Sequence, residues 1–137
     1  MRLAEVQAMT IEQWRALRQE MEQAQKLPKL NEHFRKHGEQ FSSLGIAGPQ
    51  EFEKLFLEHV RRSDLEAYTY VTTQKGQQYR YWVLAAIDNG VVALYNESKR
   101  RHWSFWRPND FVGYLQGGRG WWLRVEESAD KLRVHRW

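Results

Sequence analysis

Glu66-Ala67-Tyr68-Thr69-Tyr70-Val71-Thr72-Thr73-Gln74-Lys75-Gly76-Gln77-Gln78-Tyr79-Arg80-Tyr81 is the stretch at which the period of the chain changes. Upstream, apolar residues recur every three or four positions; here they alternate, with Tyr68, Tyr70 and Thr72 on one face, which is the two-residue period of a strand. Lys75-Gly76 reads as a turn, and residues 77–87 continue as a second strand. Asp88-Asn89-Gly90 is a tight hairpin signal into residues 91–96, and residues 97–100 turn the chain again into 101–107. These are four antiparallel strands in a meander. Beyond them, residues 108–116 suit a short helical turn, Gly117-Gly118-Arg119-Gly120 a loop, and residues 121–126 with 131–136 a last hairpin across 128–130.

Working back from the sheet, three helices are expected. Thr10 and Gln13 form a capping box, after which Trp14, Leu17, Met21 and Ala24 repeat at helical spacing, predicting a helix over 11–25. Pro28 breaks it and marks residues 27–30 as a boundary. Asn31 can cap a second helix bearing Phe34 and Phe41 on one side. Residues 42–48 read as a loop, and Pro49 suits the first position of a third helix with the stripe Phe52, Leu55, Phe56, His59 and Val60. The expected class is α+β, with N-terminal helices packed on a four- to six-stranded antiparallel sheet. Residues 1–30 are expected as a helical extension and 31–137 as the functional domain.

Composition narrows the function. With 137 residues the chain suits one compact domain. The longest apolar run, residues 82–87, is far short of the ~20 needed to cross a bilayer. The N-terminus lacks a basic-then-apolar signal layout, so the expected location is the cytoplasm. The absence of cysteine excludes disulfides and thiolate zinc sites. The net charge of +4 is modest but uneven: residues 67–124 hold 8 basic and 3 acidic side chains, and 14 of the 19 aromatics fall from Tyr68 onward. Cations interleaved with flat rings make a surface able to follow phosphates and stack bases. Aromatic-rich strands edged with arginine have the same composition.

Two segments could carry chemistry. In His33-Phe34-Arg35-Lys36-His37-Gly38, two imidazoles lie one helical turn apart with two cations between them. On a helical wheel His37 falls about 50° from the Phe34/Phe41 stripe, at the edge of the buried face. Partial burial and the neighbouring cation both disfavour an imidazolium, leaving His37 neutral and able to accept a proton. Lys36 could stabilise charge building on a phosphoryl oxygen. The same pair read as a zinc site suffers from the intervening cations and lacks the glutamate of a zinc-protease helix. A solvated helix face is the plain alternative. In Arg101-His102-Trp103-Ser104-Phe105-Trp106-Arg107-Pro108, strand alternation puts His102, Ser104 and Trp106 on one face, Trp103 and Phe105 on the other, and Arg101 and Arg107 at the flanks. A hydroxyl to hold a phosphate and an indole to stack a base would then stand together; equally, Trp106 could be core and Ser104 a space-filler. His59, inside an apolar stripe, reads as a core histidine, and His135 as surface. Arg119 could meet phosphate through nearby amides, though no phosphate-loop motif follows. Of Tyr79, Arg80 and Tyr81, one face could line a cleft.

Arg35-Lys36-His37, Phe41 and Ser104-Phe105-Trp106, on a helix and a late strand of a sheet, resemble the colicin D-like tRNA nucleases of the barnase–EndoU–colicin–RelE toxin group. Arg107-Pro108 after the strand is similar to members of that group as well. The resemblance covers residues 31–116, and departs where the family's lysine pair is Arg35-Lys36, where Ser42-Ser43-Leu44-Gly45 replaces a shorter turn, and where His102 is extra. It implies a metal-independent endoribonuclease toxin, without cofactor, cutting tRNA in the anticodon loop by attack of a ribose 2′-hydroxyl. His37 would be the general base, Lys36 and Arg35 would stabilise the phosphorane, and Ser104 and Trp106 would position the substrate. His33 is expected as accessory acid or phosphate contact, with His102, Arg101 and Arg107 binding RNA. It implies a small acidic immunity protein or antitoxin as partner, and neither membrane nor DNA. The rival expectations are a non-catalytic RNA-binding module and a phage-type inhibitor that binds another protein.

Overall fold

The computed structural model describes residues 3–116 and 123–136. Helices α1 (Leu3–Gln7), α2 (Ile11–Glu22), α3 (Leu30–His37) and α4 (Pro49–Val60) precede strands β1 (Glu66–Gln74), β2 (Gln77–Ala86), β3 (Val91–Asn96) and β4 (Arg101–Trp106). Helix α5 (Phe111–Leu115) and strands β5 (Leu123–Ser128) and β6 (Lys131–Arg136) follow. All six strands pair antiparallel in one sheet of order β4-β3-β2-β1-β5-β6. The fold is α+β, as the change of period requires.

Helices α1 to α4 cover one face. Val6, Trp14, Leu17, Met21, Leu27, Phe52 and Phe56 share a single core with Trp82, Leu84, Tyr95 and Phe105 of the sheet. The N-terminal segment expected as an extension thus contributes Val6, Trp14, Leu17, Met21 and Leu27 to the core of the rest of the chain. Trp14 stacks obliquely on Trp82 with centroids 5.1 Å apart, and Arg15 pairs with Glu127 and Asp130 of the distant β5–β6 hairpin. The second face holds Tyr68, Tyr81, Val83, Val92 and Leu94, against which α5 packs Leu115, Phe111 and Tyr114. Both faces of the central strands are therefore buried, which explains the apolar run in β2.

Local chemistry sets the boundaries. The capping box is formed, Thr10 Oγ1 accepting from Gln13 N at 3.1 Å and Gln13 Oε1 accepting from Thr10 N at 2.8 Å. Helix α2 stops at Glu22 rather than continuing to 25. Asn31 is not a cap: α3 begins at Leu30, and Lys29 stands at its N-cap with φ 54°, without a side-chain cap bond. Part of the expected loop at 42–48 belongs to a 3₁₀ segment, Gly38–Leu44, that delivers Phe41 fully buried against Phe52 and Phe105. Pro49 opens α4 as expected. The glycine loop at 117–120 with Arg119, and the start of the last hairpin at 121–122, lie outside the described residues.

Candidate active site

Strand β4 is an edge of the sheet, and α3 with its 3₁₀ continuation flanks it. At that edge a cavity of about 440 Å³ is lined by Lys36, His37, Tyr70, Leu94, Ser104, Trp106 and Tyr114. Residues 36–37, 70, 94, 104, 106 and 114, remote in sequence, thus converge on one surface. Tyr70 comes from β1, Leu94 from β3 and Tyr114 from α5.

The chain reaches this geometry through Gly38. A Cβ there would stand 2.8 Å from the Phe34 ring, so only glycine lets that ring fold over the end of α3. Phe34 in turn packs edge-on against Phe52, with centroids 5.7 Å apart, and this fixes the roll of the helix. His37 is half-buried, its ring 6.3 Å from Trp106, which meets Tyr114 edge-on at 5.3 Å. Among the described residues His37 Nδ1 is buried without a hydrogen-bond partner, which leaves Nε2 as its accessible nitrogen. Burial pulls the His37 pKa below the ordinary 6.5, and the charges of Lys36 and His33 push the same way. For Nε2 to accept a proton, the neutral ring must carry its hydrogen on the buried Nδ1. Among the described residues Ser104 Oγ makes no hydrogen bond and no carboxylate lines the cavity.

The other expected residues are placed as follows. His33 stacks on His37 with centroids 6.3 Å apart but does not line the cavity; burial lowers its pKa, and its Nδ1 is also unpartnered. Among the described residues no third histidine or carboxylate joins this pair in a metal-binding cluster. Arg35 and Lys36 are exposed and make no ion pair among the described residues. Arg101 is exposed, its guanidinium 5.2 Å over the Trp103 ring. Arg107 is a clamp: it donates to the Gln40 and Asn89 carbonyls and to Ser43 Oγ, while Gln40 Oε1 accepts from its backbone N–H. That ties the 3₁₀ segment to the end of β4.

The expected face of His102 is corrected. The register shifts between Leu94 and Tyr95, so Leu94 faces Ser104 while Tyr95 faces His102, and Trp103 is the extra residue of a β-bulge. The bulge interrupts alternation. His102 turns to the helical face, where it is buried between Phe56 and Tyr95 and donates Nε2–H to the Met21 carbonyl. Trp103 goes instead to the face of Tyr81. His59 is the expected core histidine, donating to the Leu84 carbonyl, and burial pushes its pKa down to about 4. His135 is at the surface beside Glu126. Arg80 pairs with Glu5 and Glu97 on the helical side, which leaves Tyr79 and Tyr81 to the second face.

Sequence reading missed Tyr114 and Leu94. Tyr70 was visible as one of three alternating residues, but nothing local tied it to His37. A larger cleft, about 820 Å³, lies between α2 and strands β1 and β5; Glu22, Asp64, Glu66, Glu126 and Glu127 there outnumber Arg15, Arg18 and Arg124. Such a rim does not attract a polyanion. Among the described residues no helix is long and apolar enough to cross a membrane.

Comparison with known proteins brings no relative: no family model matches the chain, and neither a curated protein nor a solved structure matches it. The resemblance to the colicin D-like nucleases rests on the short motifs around His37 and Ser104 alone.

Proposed function

We propose that this protein is a metal-independent endoribonuclease toxin that cuts tRNA within the anticodon loop. The observation that carries the reading is the convergence of an imidazole, an ammonium, a hydroxyl and an indole on one cavity that no carboxylate lines among the described residues. His37 Nε2 takes the proton of a ribose 2′-hydroxyl as its oxygen attacks the adjacent phosphorus. The bond from phosphorus to the 5′-oxygen breaks, and that oxygen leaves with a proton from solvent, giving a 2′,3′-cyclic phosphate and a 5′-hydroxyl. Lys36 stands beside the base to offset charge on the non-bridging oxygens, and Arg35 extends the positive rim. Ser104 holds a phosphate oxygen, and Trp106 positions both the substrate and the His37 ring. The reaction belongs in a cytoplasm, where tRNA is met. A small acidic immunity protein or antitoxin would cover the exposed Arg35, Lys36 and Arg101.

The test is incubation of a total tRNA pool with the purified protein in EDTA, followed by end-mapping. The expected result is one new terminus in an anticodon loop carrying a cyclic phosphate, lost in His37→Ala while RNA binding persists. No cleavage of any tRNA by the wild-type chain would overturn the nuclease reading in favour of an RNA-binding module. A pulldown that returns one protein and no RNA would favour a protein-binding inhibitor.

A further inference from the structure

Beside the cavity at His37 lies a second one, about 220 Å³, on the same face of the sheet. Its walls include Tyr70, Thr72, Tyr81, Leu94 and Trp103, and two of these, Tyr70 and Leu94, are also walls of the first cavity. The two are therefore contiguous. Tyr70 and Tyr81 stack with centroids 5.4 Å apart and planes at 25°, and Trp103 meets Tyr81 at 6.4 Å and 62°. The rings form two walls of a slot rather than a closed cluster. Trp103 is 38% exposed although it is a large indole in a strand, and it faces this way only because of the bulge in β4. Over its ring stands Arg101, which makes no ion pair among the described residues. Among the described residues no carboxylate lines the slot. Its volume exceeds the roughly 150 Å³ that suffices to take up benzene.

We propose that this second cavity is a nucleobase subsite: it takes an unpaired base of the RNA strand whose phosphate lies at His37, with Trp103 as the stacking platform and Arg101 on the adjoining phosphate. The inference rests on the ribonuclease reading and adds a substrate requirement to it. A base already stacked and paired in a duplex cannot enter the slot, so the strand must be single at this position. Aromatic stacking accepts any base, so the subsite selects unpaired structure more than sequence.

The experiment measures binding to the His37→Ala protein, which keeps the RNA intact, by fluorescence anisotropy. The probes are a short labelled single-stranded RNA of mixed sequence and the same strand annealed to its complement. Adding Trp103→Ala is expected to weaken single-strand binding about tenfold and leave duplex binding unchanged. Trp103→Phe, which keeps a ring, should restore most of the loss. Because Trp103 lies outside the buried core, these variants should match the parent in circular dichroism. Equal binding with and without the indole, or an equal loss for both probes, overturns the subsite. Failure of the nuclease reading looks different: a Trp103-dependent preference for single strands in a protein that never cleaves RNA supports the subsite and sinks only the chemistry. His37-dependent cleavage with no effect of Trp103 sinks only the subsite.

Discussion

His37 is kept neutral by influences that all act in one direction: burial first, then Lys36, then His33. If it is the general base, kcat/KM should climb with pH along a single limb whose midpoint lies below 6.5, and the plateau should already be reached at neutral pH. Lys36→Met makes a paired prediction. Removing the neighbouring cation should raise the His37 midpoint toward its ordinary value, read by NMR of the ring proton, while cleavage falls by about tenfold or more for want of charge stabilisation. A drop in rate with an unmoved midpoint would show that Lys36 acts elsewhere. His59 supplies a stability prediction of definite sign. Its folded pKa of about 4 lies below the unfolded value, so the unfolded chain binds the extra proton. Stability should be full above pH 6.5 and decline as pH falls toward 4, by up to about 3 kcal/mol from this group. Urea unfolding across that range checks it, and a flat profile would contradict the burial of a neutral imidazole.

Helix α3 and strand β4 carry the site, and each owes its register to a feature smaller than itself. For α3 it is Gly38, where any Cβ collides with the Phe34 ring. Gly38→Ala should destabilise the fold by about 1–3 kcal/mol and displace His37, visible as lost cleavage in a protein whose sheet is intact by circular dichroism. For β4 it is the bulge at Trp103, which sends His102 inward and Trp103 outward. Periodicity could not anticipate this, because an unpaired residue in a strand leaves no mark on the alternation of its neighbours' types; Ser104, Phe105 and Trp106, beyond the bulge, take the faces alternation assigns. The helix starts show the same division. Thr10 with Gln13, and Pro49, act through bonds within one turn and are legible, whereas α3 starts from a Lys29 at positive φ that no local signal announces.

Across the whole molecule, the N-terminal helices are joined to the last hairpin by Arg15 and to the sheet by Trp14, Leu17 and Met21. A chain beginning at residue 31 should therefore fail to unfold cooperatively, since it exposes Trp82 and the inner faces of Phe52 and Phe56; a sharp thermal transition in that fragment would show that residues 1–30 are separable. Hydrophobic period and turn chemistry are properties of neighbouring residues, so the amino-acid order alone was enough to determine the class, the four-stranded meander and the starts of α2 and α4. It also marked His37 and the Ser104–Trp106 pair as candidates, because residue type and spacing state what chemistry is available. Which of those groups meet was decided only in three dimensions. Edge pairing of β4, the bulge within it and the packing of Phe34 over Gly38 are contacts between distant segments, and they brought Tyr70, Leu94 and Tyr114 to His37, drew His102 into the core and turned Arg107 into a clamp. A side chain's neighbours across a sheet are set by register and packing, which no stretch of chain specifies by itself.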